Sequence, residues 1–226
     1  MVYAEVLGWV AVAISLVIGL PQLLRIVRTR SVAGLSFFSW RAILGVNLAW
    51  IAHGIRIHQL PMVLTNTFSL VTTVLILTQM SRVLQRTRFS TFAPGLVVAA
   101  AMVATDVLFG SAMYGVLAIA AGVVASTGAS IELIRALHVG AVSTVFLVLG
   151  VVNQLVWLTW SLLVGDPGSI MTASTMTALT TFNLAWYVLR RLGLRPFFPH
   201  ETAGATGRHQ ASGVPQQAVP EPVPAT

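Results

Sequence analysis

Two tryptophans and an asparagine are the residues of this chain best suited to hold a small polar solute: Trp50 in "NLAW", Asn66 sixteen positions later in "PMVLTN", and Trp157 in the second half. An indole offers a flat apolar face and one N–H donor, which suits the C–H face of a pyranose ring and one of its hydroxyls. Asn66 has two donors and an acceptor that are costly to leave in an apolar medium, so it must find partners inside a bundle or in a pocket. Asn47 and Gln154 each lie one turn before a tryptophan, on the same helical face as Trp50 and Trp157. The segment "SIMTASTMTALTTFNLAW" is rich in hydroxyls, with Ala173, Thr177 and Thr180 on one face at helical spacing. Three competing readings stand beside these: helix packing for the tryptophans, interhelical hydrogen bonding for Asn66, and bonding to their own backbone for the threonines. Catalysis is not expected, since the sequence has no paired mid-span carboxylates, no Ser/His/Asp or Cys/His set, no HExxH and no glycine-rich phosphate loop. Cysteine is absent, which excludes disulfides and thiolate metal sites, and neither a cofactor nor a metal is expected.

The elements that must position these side chains follow from composition. With 56% hydrophobic and 8% charged residues among 226, the chain cannot clothe a soluble surface, whereas lipid would solvate the excess. An all-α integral membrane protein is expected. Apolar runs of about 20 residues, the length that crosses the hydrocarbon core, fall at about 6–25, 37–56, 60–80, 92–107, 110–134, 142–164 and 168–189. The net charge of +7 comes from thirteen arginines and no lysine, and because these sit between apolar runs they read as topology signals and not as a nucleic-acid surface. Placing Arg25, Arg28 and Arg30 in the cytoplasm puts every arginine cluster there and leaves Arg56 outside. The N-terminus is then outside and the C-terminus inside, in a multi-pass protein of the cell membrane. The first span lacks a basic leader and a small-residue cleavage site and reads as retained. Residues 196–226, rich in Pro, Ala, Gly and Gln, read as a disordered cytoplasmic tail.

A shift of 107 residues superposes Arg28 on Arg135, Ser36 on Ser143, Trp50 on Trp157, Thr65 on Thr172 and Thr73 on Thr180 without a gap. Such a repeat implies two parallel three-helix units joined by a linker helix, a 3+1+3 order: 1–88, then 89–109, then 110–195. A substrate site is expected at the interface of the two units. No Asp, Glu, Lys or Arg falls near the middle of a span; Glu5, Asp106 and Asp166 lie at outer ends, and Glu132 has Arg135 one turn on as an ion-pair partner. The absence of a central titratable group favours uniport over proton coupling. His53 at the outer end of the second span reads either as part of an extracellular gate with Arg56 or as an imidazole wetted by the interface.

The stretch "PQLLRIVRTRSVAGLSFFSW", 21–40, resembles the PQ-loop signature, and its spacing onward to "NLAW" and "PMVLTN" resembles the SWEET and SemiSWEET sugar transporters. The resemblance covers about 6–190 and implies two three-helix bundles around a central sugar pocket with alternating access. It implies that Trp50 and Asn66 line the pocket from the first repeat and Trp157 from the second, where Ala173 takes the asparagine position. It also implies hinges at Pro21-Gln22 and at the counterpart Gly128. The expected partners are a small-molecule substrate and the lipid bilayer, with a homo-oligomer left open. Two other readings remain: a proton-linked PQ-loop carrier of amino acids or another small metabolite, and a non-transporting membrane receptor or assembly protein.

Overall fold

In lipid, an apolar run of about 20 residues satisfies its backbone N–H and C=O groups within itself by folding as a helix. The computed structural model describes residues 2–29, 36–135 and 143–197, apart from a few side chains near 19–26 and 125–132. Among the described residues are seven helices: α1 (Val2–Thr29), α2 (Phe37–Arg56), α3 (Leu60–Val83), α4 (Arg88–Phe109), α5 (Ser111–Arg135), α6 (Thr144–Val164) and α7 (Pro167–Arg191). By length and composition α3, α4 and α6 can each cross a membrane; α1 and α5 contain the shorter apolar stretches Val2–Ile18 and Ser111–Val124, while α2 and α7 are more polar. Pro21 lies inside α1, which continues to Thr29. The side chains of Gln22 and Glu132, the surroundings of Gly128, and the segment from 198 onward lie outside the described residues.

Both halves are built alike. The first and second helices of each half pack on the third, as α1·α3 and α2·α3, then α5·α7 and α6·α7; among the described residues α1 does not pack on α2, nor α5 on α6. The halves meet through α1·α6 and through α2·α5, which are equivalent pairs under the repeat, and α4 lies against α2, α3 and α5. Local details repeat at the same offset of 107. The Ser36 hydroxyl caps α2 by accepting from Ser39 N at 3.3 Å, and Ser143 caps α6 by accepting from Phe146 N at 3.3 Å. Met80 packs with Trp40 at one end of the first half, and Tyr187 packs with Leu147 at the equivalent place in the second.

Close helix approach sits on small residues. A Cβ on Gly45 would come 2.5 Å from the Gly95 carbonyl oxygen, and one on Gly95 would come 2.6 Å from that of Arg41. Gly45→Ala is therefore expected to push α2 from α4 and cost about 1–3 kcal/mol, read as a lower thermal unfolding midpoint in detergent; an unchanged midpoint would show that the contact yields freely.

Candidate substrate cavity and a buried charge cluster

Six helices, α1, α2, α3, α5, α6 and α7, enclose a cavity of about 500 Å³ between the halves. Its walls come in repeat-equivalent pairs: Trp50 with Trp157, Asn66 with Ala173, Thr65 with Thr172, Val46 with Asn153, Met62 with Ser169, and Ser69 with Met176. The cavity therefore lies on the axis that relates the two halves. Among the described residues that line it none is ionisable; the polar lining is hydroxyl, amide and indole.

Of the positions singled out by sequence, Trp50, Asn66, Trp157, Gln154 and Ala173 line the cavity. The Asn66 Nδ2 donates to the Met62 carbonyl of its own helix at 2.9 Å, so its bond is intrahelical and its side chain stays at the wall. Asn47 does not line the cavity: it is buried, and its Nδ2 donates to Thr73 Oγ1 at 3.1 Å, tying α2 to α3. Thr73 Oγ1 in turn donates to the Ser69 carbonyl at 2.8 Å. Thr180 bonds the Met176 carbonyl at 2.9 Å, and neither Thr180 nor Thr177 is part of the wall. The face of α7 toward the cavity is Ser169, Thr172, Ala173 and Met176, one step round the helix from the face chosen by spacing.

The sequence repeat does not mark Asn153, because its partner is the apolar Val46. It lines the cavity and accepts from the Ser15 hydroxyl at 3.2 Å, joining α6 to α1 across the interface of the halves. Among the described residues, Thr65 Oγ1 and Trp160 Nε1 of the wall are buried without a partner. Unpaired buried donors and acceptors are costly unless a solute or water meets them.

At the end of the bundle opposite the arginine clusters, His53 is buried between two carboxylates. Its Nδ1 lies 2.8 Å from Asp106 Oδ2 and its Nε2 lies 3.0 Å from Asp166 Oδ2. Arg56 donates through Nε to Asp106 Oδ2 at 2.8 Å and through Nη2 to Oδ1 at 2.5 Å. Asp166 also accepts from the Ser111 hydroxyl and, as the cap of α7, from Ser169 N at 2.8 Å. Burial alone would raise the Asp166 carboxyl, but the hydrogen bonds from His53, Ser111 and Ser169 outweigh it and hold the group well below the usual carboxylate range. The Tyr114 ring stacks on the imidazole at a centroid distance of 4.5 Å, and Trp50 meets both rings edge-on. Trp50 and Ser169 belong both to this cluster and to the cavity wall.

His53 is thus an interior residue and not an imidazole wetted by the interface, and Arg56 is its neighbour through Asp106. Asp106 and Asp166 join them although sequence placed these only at span ends. A model of the PQ loop repeat matches residues 3–63, which take in α1, α2 and the first residues of α3. No curated protein matches the chain. The match and the apolar helices fit a multi-pass membrane protein of transporter type.

Proposed function

We propose that this chain, which carries a PQ loop repeat over residues 3–63, is a passive alternating-access carrier of a neutral polyhydroxylated solute, a mono- or disaccharide. The observation that carries this reading is the paired wall: indole faces, amides and hydroxyls enclose about 500 Å³ at the interface of two equivalent halves. That volume lies within the range of small-molecule sites, about 300–1,000 Å³. Trp50 and Trp157 supply apolar faces, and Asn66, Gln154, Thr65 and Ser169 supply hydrogen bonds. An amino acid would need cationic and anionic partners for its own charges, and the described lining offers neither.

In this reading residues 1–88 and 110–195 are the two moving units, 89–109 is the linker, and the arginine-rich end faces the cytoplasm. The cluster around His53 closes the outer end, and Pro21, near the cytoplasmic end of α1, is the point where the inner end bends. Proteoliposomes offered labelled sugars and amino acids, with and without a pH gradient, test it. Neutral sugars are expected to equilibrate to the same endpoint in both conditions. Gradient-driven accumulation of an amino acid would replace this reading with the proton-linked one.

A further inference from the structure

Both ring nitrogens of His53 face carboxylate oxygens, at 2.8 and 3.0 Å. A neutral imidazole has one N–H, so one of these contacts would set a lone pair against an oxygen that is itself an acceptor; only the doubly protonated ring donates to both. The charges agree, since Asp106 and Asp166 are then matched by Arg56 and the imidazolium. With both nitrogens engaged by carboxylates, the ring has none left for a metal, and among the described residues no set of three ligands is arranged to hold one.

The two contacts join different parts of the bundle. Asp106 belongs to α4, which packs on α2 in any case, whereas Asp166 stands in the turn between α6 and α7, and neither of those helices packs on α2. The Nε2 contact is therefore a bridge between the halves at this end, and within the second half Ser111 of α5 donates to Asp166 and accepts from Gly168 N at 3.0 Å, which holds that carboxylate in place.

We propose that His53 is a proton-binding site whose occupancy bridges the two halves at the end opposite the arginines, so that the pH on that side alone sets access to the cavity from that side. The groups that face the ring are Asp106 from α4, Asp166 from the α6–α7 turn, Tyr114 from α5, and Trp50 and Arg56 from its own helix. Of these side chains, the imidazole is the one whose ordinary titration falls between about pH 5 and 8, and Asp166 stays ionised throughout that range. Loss of the proton removes the donor toward one carboxylate and leaves the two acids against Arg56 alone, which favours separation of the halves. Once parted, the ring meets water on that side and exchanges its proton there, while Trp50, part of the cavity wall, stays edge-on against it. The proton returns to the side it came from. Regulation of this kind alters rate without driving accumulation, and it does not depend on which solute the cavity takes.

The chain contains no cysteine, so a single introduced thiol is the only one present. Met62→Cys places it in the cavity wall near the cluster, at a buried position, and Ile55→Cys places a reference thiol on the exposed surface of the same end. A membrane-impermeant maleimide is applied to the membrane face that labels Ile55→Cys, and the ratio of the two labelling rates cancels the thiol's own pH dependence. Between about pH 5.5 and 8 the ratio is expected to rise on the order of tenfold, as release of one proton allows. In His53→Gln it should be flat, and Asp166→Asn, which removes the Nε2 partner, should also be flat if the first variant does not reach the membrane. Changing the pH of the opposite compartment should leave the ratio unmoved. A flat ratio in the protein that retains His53, a response that survives both substitutions, or a response to the opposite compartment would each overturn the proposal.

Discussion

Replacing Asp106 by asparagine is expected to lower the unfolding free energy by about 3–5 kcal/mol, the cost of removing one partner from a buried ion pair. The carboxylate is 4% exposed and accepts from both His53, whose side chain is wholly buried, and Arg56. Asparagine keeps the shape and removes the charge, which leaves an imidazolium and a guanidinium sharing Asp166 alone. Arg56 is different, because its side chain is 41% exposed and water can solvate it when the contact is lost. Arg56→Gln gives up a partly water-screened charge but leaves the buried Asp106 carboxylate with His53 as its remaining cation, so it should cost about 1–3 kcal/mol, less than Asp106→Asn. Thermal unfolding in detergent near pH 6, where the imidazolium is populated, separates the two. The double variant with His53→Gln should lose less than the sum of the single losses, since both substitutions break one contact. If Asp106→Asn unfolds with the parent protein, the cluster does not hold this end of the bundle together.

The symmetry of the chain is what made much of it legible. Ser36 and Ser143 cap equivalent helices, and Trp50 and Trp157 line one cavity, because a repeated sequence segment repeats its local physics. The same comparison is blind to whatever breaks the repeat. His53 corresponds to Trp160, Arg56 to Leu163 and Asp166 to Gln59, while Asp106 belongs to the linker helix and has no counterpart. Their contacts join residues 53, 106 and 166, a separation that no helical period relates. Asn153 breaks the repeat in the same way, its partner Val46 being apolar. Helical spacing placed Asn47 on the face of Trp50, yet the face of a helix in a bundle is shared between neighbours, and Asn47 bonds α3 while Trp50 reaches the cavity. A signal existed in the pairing itself: Asn47 lies opposite Thr73 once α2 and α3 are antiparallel, and a buried amide takes the nearest polar partner.

Those two amides provide the sharpest separation of site from scaffold. Asn66→Ala is expected to weaken solute binding by about 1–3 kcal/mol, or about one to two decades in affinity, because solute hydroxyls lose a directional partner. Its effect on folding should be small, since its Nδ2 bond runs to the Met62 carbonyl of its own helix, which already accepts within the α3 ladder. Asn47→Ala is expected to do the reverse. It strips Thr73 Oγ1 of its donor inside the α2–α3 contact and should cost about 0.5–2 kcal/mol of stability, with binding per folded molecule unchanged. Trp50→Ala stands between them, because the ring lines the cavity and also supports Tyr114 and His53, so both readouts should fall. Binding of a labelled sugar measured per folded molecule, with an unfolding midpoint recorded for each variant, resolves the three. Unchanged affinity in well-folded Asn66→Ala would remove that residue from the site. Weakened affinity in well-folded Asn47→Ala would mean that the solute is held nearer the α2–α3 seam than the cavity wall suggests.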